Sequence, residues 1–474
     1  MIDMPPEQFR RLGYRAVDLL TDHFKSLANG PCRRPVPDVL RRELIDQPFP
    51  EKPGDADQLL EYIGDTIFRY PMGNGSPRFF GWVNSSVAPI ATLAELLAAG
   101  LNPSVAGGDH SATYLEHAVL TWVKRMLNFP QTGGAILTSG GSVANLIGLA
   151  VMRHVKTSGD VRARGLAGEA KLPIVYTSQE GHSCIEKAME ILGLGHDNLR
   201  RVPVTSDWRI DVRALAASIE TDRGTGLMPA CVAATAGTVN TGAIDALDEI
   251  ADLCADQQLW FHVDAAFGGP AALVPELADS YRGLERADSV AVDPHKWMYV
   301  PVECGCALVR DANAMRDAFS LVPPYLRDDT GLPWFSEFGI QQTRGFRALK
   351  LWLVLKHVGI DGLRQLVANN IALARSLQSR LQTTPNFELL AGGPLSVTCF
   401  RYCPPPLKGQ DAELNRLNRS VLDAVQRAGE VFLTGTELAG RFALRACIVN
   451  FRTTEDDLTA LLEAILSAGR TAYV

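Results

Sequence analysis

From about residue 103 to residue 322 the sequence repeats one unit: a short apolar run with β-branched residues, then a stretch whose apolar residues recur at helical spacing. The runs are 135–138, 173–177, 200–204, 231–235, 259–264, 289–293 and 306–309. Helices are predicted between them at 142–154, 185–194, 212–221 and 246–255. Short, continuously apolar strands are buried on both faces, which happens when helices cover both sides of a mostly parallel sheet. The pattern therefore predicts the α/β class. In such a sheet a ligand binds outside the carboxyl ends of the strands. The residues that follow each apolar run are the ones to weigh for chemistry.

The flanks differ. Residues 7–28 place Phe9, Leu12, Ala16, Leu19, Leu20, Phe24 and Leu27 on a helical period, and 31–53 is rich in proline and charge with no core pattern. Such an arm has little core of its own, so it is expected to lie on another surface, of this chain or of a second subunit. After Phe346 two helices are predicted, 348–357 and 360–381, followed by a small α+β unit with strands at 395–402, 431–434 and 442–448. The expected segments are a helical arm (1–85), a large α/β domain (86–345) and a C-terminal α+β domain (346–474).

Composition excludes several classes. With 46% hydrophobic and 21% charged residues the chain is not disordered. A net charge of −7, from 46 basic against 53 acidic residues, argues against a nucleic-acid partner. The longest apolar stretches, 87–101 and 143–152, are broken by Glu95 or too short to span a bilayer, so no membrane partner is expected. The opening MIDMPPEQFRRLGYR has no apolar segment after its charges, and nine scattered cysteines form no C-x-x-C pair. No secretory signal, disulfide framework or metal site is expected, and a cytoplasmic location is.

Four strand ends carry unusual residues. The first runs into Thr138-Ser139-Gly140-Gly141-Ser142 before a helix. Two glycines let a ligand approach the backbone, Ser142 can cap the helix, and a helix N-terminus seats a phosphate. Taken alone, an ordinary capped turn is as good an explanation. The second end is Asp264, after Trp260-Phe261-His262-Val263. A buried carboxylate needs a partner, and a protonated heteroaromatic nitrogen is one; a helix cap or an internal arginine is another. His262 reads as a core histidine. The third is Asp293-Pro294-His295-Lys296-Trp297. A desolvated lysine has a lowered pKa and attacks carbonyls, although a strand-end lysine alone is more often a snorkelling surface residue. The fourth is His182, in Gly181-His182-Ser183-Cys184, placed to lie on a cofactor ring or to be a plain loop histidine. Together, a phosphate seat, a carboxylate, a lysine and a histidine fit one cofactor, pyridoxal 5′-phosphate.

The ordered segments TSGGSVANL, GHSCIEKA, GTVNTGAID, WFHVDAAFGG, DPHKW and RGFRALKLW resemble the group II pyridoxal-phosphate-dependent amino acid decarboxylases, over nearly the whole chain. The resemblance implies a fold-type I, aminotransferase-like architecture and a homodimer with active sites at its interface. By matching motif it implies Lys296 as the Schiff-base lysine, Asp264 as the partner of the pyridinium nitrogen and His182 as the ring stacker. It puts Gly141 and Ser142 at the phosphate, Ala266 against the ring, and Thr238 or Val239 in the family's G-T-T stretch, where valine replaces the second threonine. Asp293 stands where animal relatives usually carry asparagine, and His295 follows the pattern; both are cofactor-side candidates. Tyr325, in Leu321-Val322-Pro323-Pro324-Tyr325, matches a mobile-loop tyrosine that delivers a proton. Relatives with phenylalanine there tend toward aldehyde formation, so amine production is expected.

For the substrate, Phe79, Phe80, Trp82 and Asn84 fall where relatives line the side-chain pocket, which favours an aromatic amino acid. The alternative is that these aromatics only pack the arm. Thr343 aligns near a glycine or serine of relatives and is a further substrate candidate. Competing functions are decarboxylation of histidine or glutamate, aldehyde synthesis, or a non-catalytic binding protein of this fold.

Overall fold

The computed structural model describes residues 2–157, 160–321 and 331–473. Seven strands, β1 (Gly134–Thr138), β2 (Pro173–Ser178), β3 (Leu199–Val202), β4 (Met228–Thr235), β5 (Trp260–Asp264), β6 (Ser289–Val292) and β7 (Gly305–Val309), form one sheet in the order β1-β7-β6-β5-β4-β2-β3. Strands β3, β2, β4, β5 and β6 pair in parallel, while β7 runs antiparallel to both β6 and β1. The expected mostly parallel α/β sheet is therefore present. The central strands are apolar on both faces because helices such as Gly141–Lys156 and Leu247–Gln257 cover them. Register decides the chemistry that follows. Thr235 pairs with Asp264, and Asp264 with Ala291, so the ends of β4, β5 and β6 lie side by side.

The chain divides into two compact units. One comprises Val83–Arg375 with Ala391–Thr398 and holds the seven-stranded sheet; the other comprises Met1–Trp82, Ser376–Leu390 and Cys399–Val474. A four-stranded sheet, ordered β10-β11-β9-β8, is made by β8 (Phe387–Gly392), β9 (Val397–Tyr402), β10 (Thr434–Leu438) and β11 (Arg441–Cys447). The helices expected at 348–357 and 360–381 run as Arg347–Thr383 with a break at Gly359, where φ is 70°.

The arm finds part of its core in its own chain. Phe79 stacks on Phe432 with ring centroids 4.9 Å apart and planes 10° off parallel, and Cys32 joins them in a buried cluster. Phe80 N–H donates to the Phe432 carbonyl at 2.6 Å, and Phe432 N–H to the Arg78 carbonyl at 3.1 Å. This corrects the expected strand at 431–434. Residues around Phe432 spend their backbone bonds on residues 78–80, so β10 begins only at Thr434.

In the large unit one buried ion pair ties separate elements together. Arg344 and Glu116 have fully buried side chains and are hydrogen-bonded to each other. Arg344 also donates to the carbonyls of Val105 and Leu137, both at 2.6 Å, while Glu116 Oε1 accepts from the Leu137 N–H at 3.2 Å. Its guanidinium lies 5.1 Å from the Phe335 ring centre. Removing one partner of such a pair strands a charge and costs roughly 3–5 kcal/mol. Glu116→Ala should accordingly lower the urea midpoint of unfolding sharply. The double variant Glu116→Leu with Arg344→Met should lose less than the single one, since no unpaired charge is left.

Candidate active site

The carboxyl end of β1 turns directly into the Gly141–Lys156 helix. Gly140 takes the N-cap position and has no side chain to cap with, so Ser142 lies within the first turn and its hydroxyl caps nothing. This corrects the expected Ser142 cap and leaves more donors open. The N–H groups of Gly141 and Ser142 have no partner among the described residues. Gly141 is also a point of close approach. A β-carbon there would stand 2.7 Å from Asp293 Oδ2 and 3.1 Å from Ala266 Cβ, closer than side chains pack. Free amides at a helix N-terminus, reached through a gap that only glycine keeps open, make a seat for an anion.

Opposite this seat β6 ends at Val292, and Asp293 begins a single helical turn, Pro294–Trp297. The turn carries Lys296 back over Asp293, with Nζ 3.1 Å from Oδ2. Asp293 is almost fully buried, and its Oδ1 has no hydrogen-bond partner among the described residues. The lowered lysine pKa expected from desolvation is not what the geometry gives. Burial does pull the Lys296 pKa down, but the carboxylates of Asp293 and Asp264 outweigh it and the pKa is raised. Asp264, at the end of β5, accepts from the Ala266 N–H through Oδ1 at 3.1 Å. Its Oδ2 lies 3.9 Å from Cys184 Sγ.

The remaining candidates sit around this core or apart from it. His182 is the N-cap of the Ser183–Ile191 helix, where its Nδ1 accepts from the Cys184 N–H at 3.1 Å. The protein around it disfavours the charged ring and lowers its pKa, with Asp264 opposing. His295 turns its Nδ1 to the Cys304 carbonyl at 2.7 Å, and its Nε2 is 4.0 Å from Asp293 Oδ2. Ser85, next to Asn84, donates to the His295 carbonyl at 3.3 Å. The Thr238 hydroxyl is engaged in its own turn, 2.8 Å from Thr241 Oγ1 and accepting from Ala243 N–H. Thr343 is exposed beside buried Arg344. Phe79 and Phe80 are buried core residues of the other unit, and Trp82, in that unit too, packs against Phe79 and Phe432. Tyr325 lies outside the described residues.

An amine, two buried carboxylates and an anion seat on adjoining strand ends match a known family. The pyridoxal-dependent decarboxylase conserved domain matches residues 37–403. The chain belongs to the pyridoxal-dependent decarboxylases. It is 33% identical to the aromatic-L-amino-acid decarboxylase of Bacillus atrophaeus, over 98% of this chain and 96% of that one. It is 31% identical to the phenylacetaldehyde synthase of Arabidopsis thaliana, over 96% and 94% of the two chains. The crystal structure of Oryza sativa TDC with PLP and tryptamine superposes with a TM-score of 0.92 at 26% identity, covering 99% of both chains. The fold is therefore that of the fold-type I pyridoxal phosphate enzymes, and pyridoxal phosphate is the cofactor of this decarboxylase.

The residues of the decarboxylase fit that group. The glycine gap and free amides suit its phosphate, Asp264 its protonated ring nitrogen, and Lys296 its aldehyde. Reading the sequence missed two polar residues behind the site, Asn145 and Ser289. The available signal was Asn145 itself, an amide among the apolar residues of the Gly141–Lys156 helix. It also missed the close pairing of Asp293 with Lys296. That pairing predicts a pH dependence. A raised lysine pKa means that the reactive neutral amine grows as pH rises, so the apo-decarboxylase should take up pyridoxal phosphate faster at pH 9 than at pH 7. Asp293→Asn should bring the plateau to lower pH, measured by stopped-flow growth of the bound cofactor's visible absorbance. A native pH profile in Asp293→Asn would show that this carboxylate does not set the protonation of Lys296.

Proposed function

We propose that the chain decarboxylates an L-amino acid with an aromatic side chain to the corresponding amine and CO2. The observation that carries this reading is Lys296 held between Asp293 and Asp264 beside the Gly141 seat. The aromatic class is supported by relatives whose names specify aromatic amino acids and by the TDC structure that holds tryptamine.

Bound pyridoxal phosphate supplies an aldehyde for the substrate amine and a protonated ring that accepts electrons from the breaking Cα–carboxylate bond. The chain's own residues do the rest. Gly141 and Ser142 bind the phosphate through their free amides, and the small Ala266 leaves space for the ring. Asp264 keeps a proton on the ring nitrogen, the condition for that ring to accept electrons. Asp293 holds Lys296 charged until a ligand enters, then takes part in removing its proton. His182 covers the ring as a neutral imidazole. His295 and Thr238 hold the walls of the site through their bonds to Cys304 and to the Thr241 turn. Tyr325 supplies the proton that replaces the carboxylate. Trp82, Asn84 and Thr343 are assigned to the substrate side.

The three segments 1–85, 86–345 and 346–474 are assigned to dimerisation, cofactor binding and the C-terminal domain respectively. Exposed Phe9, Val39, Ile45 and Phe49 on the arm and Leu96 and Leu97 on the Pro89–Leu101 helix support a homodimer. A cytoplasmic location suits the nine free, buried cysteines.

The test is CO2 release from tryptophan, tyrosine, DOPA, phenylalanine, histidine and glutamate, with Lys296→Ala as the control. The aromatic substrates should lead and Lys296→Ala should lose at least 1,000-fold, on the order expected when a covalent catalyst is removed. Preferential turnover of glutamate would overturn the aromatic assignment. The phenylacetaldehyde synthase relative favours a second reading, aldehyde production. Amine without peroxide from the native enzyme, and aldehyde with peroxide and ammonia from Tyr325→Phe, is the expected pair of results. Full amine output from Tyr325→Phe would remove Tyr325 from the mechanism.

A further inference from the structure

Behind Asp264 lies a line of buried polar groups that the reaction does not use directly. Trp260 Nε1 donates to Ser289 Oγ at 2.8 Å, and Ser289 Oγ is 2.8 Å from His262 Nδ1. His262 Nε2 is 2.6 Å from Asn145 Oδ1, Asn145 Nδ2 donates to Cys184 Sγ at 3.3 Å, and that sulfur is 3.9 Å from Asp264 Oδ2. All six side chains are buried, three of them (Ser289, His262 and Asn145) completely.

Their chemistry fixes the direction of every bond. An indole N–H can only donate, so Ser289 accepts from Trp260; Asn145 Oδ1 can only accept, so the neutral His262 ring is protonated on Nε2 and Ser289 donates to its bare Nδ1. His262 then carries its proton on Nε2 and donates to Asn145 Oδ1. The neutral ring suits its burial, which pushes its pKa down to about 4. With Oδ1 taken, Asn145 presents its N–H2 to Cys184. Burial and the neighbouring Asp264 raise the thiol pKa, so the sulfur keeps its proton and points it at the carboxylate. Five donors are thus aligned toward Asp264, and bonds in such a line polarise one another. The packing admits the line only because position 148 is glycine. A β-carbon there would stand 2.8 Å from His262 Nδ1 and 3.0 Å from Ser289 Oγ.

We propose that Cys184, Asn145, His262 and Ser289 are positioning residues that hold the Asp264 carboxylate aimed at the cofactor's ring nitrogen, with Trp260 setting the polarity of the line. The proposal rests on the reading of Asp264 as the partner of that nitrogen, and it makes Cys184 the last link.

The test measures cofactor affinity rather than turnover. Apoprotein is titrated with pyridoxal phosphate and with its analogue in which the ring nitrogen is replaced by C–H. Cys184→Ala should weaken pyridoxal phosphate by about fivefold, the scale of one ordinary hydrogen bond, and leave the analogue unchanged. Cys184→Ser, which restores a donor, should stay within about twofold of native for both ligands. Ser289→Ala, remote from the cofactor, should weaken pyridoxal phosphate in the native background and add nothing in Cys184→Ala. Equal losses for both ligands, or no loss for either, would overturn the proposal. Asp264→Asn separates the two ideas. If it still distinguishes the ligands as native does, the assignment of Asp264 fails. If it loses the distinction while Cys184→Ala retains it, only the relay fails.

Discussion

Two carboxylates brought out of water at the ends of neighbouring strands govern the rest of this structure. Asp264 and Asp293 follow β5 and β6, and both are more than nine-tenths buried. An isolated charge in such a place costs several kcal/mol, so each must be answered by its surroundings. Asp293 is answered by Lys296, which a single helical turn folds back over it. Asp264 makes no ion pair among the described residues and receives only the Ala266 amide and the Cys184 thiol. It is thereby the carboxylate left to meet a cationic ligand. The glycines facing the pair follow from the same constraint, because a side chain at Gly141 would collide with Asp293.

Much of this was legible in the residues themselves. Six strands of the large sheet were readable because they are short, buried apolar runs bounded by turn residues, while the edge strand β3 carries Arg200 and Arg201. The strand-end rule then picked out Gly141, His182, Asp264 and Lys296 without knowledge of register. What escaped was decided by contacts distant in sequence. Residues 431–433 have strand composition, but Phe432 makes its backbone bonds to Arg78 and Phe80, distant in sequence. Ser142 has the composition of a cap, yet the chain starts its helix one residue earlier, at Gly141, and takes Gly140 as the cap. The pKa of Lys296 moves opposite to the desolvation argument because a pair of carboxylates, one at i−3 and one on the next strand, cannot be weighed from burial alone. The line from Trp260 to Cys184 draws on two strands and two helices, so no local pattern announces it.

The buried pair of Arg344 and Glu116 plays a different part from the charged groups in the site. It fixes the segment that contains Thr343 to β1, through Leu137, and to Val105. An arginine suits this place because its planar fork satisfies several carbonyls at once, which a lysine could not do.

The aromatic stack of Phe79 on Phe432 also has a consequence for how the molecule is made. Its two rings belong to one compact unit, separated in sequence by the whole of the other unit. A ribosome adding roughly 5–20 residues per second exposes the arm for tens of seconds before Phe432 emerges. During that interval Phe79 and Phe80 lack the partner that completes their packing. The join of the arm to the C-terminal part of its unit can therefore form only after the whole sheet unit has been synthesised.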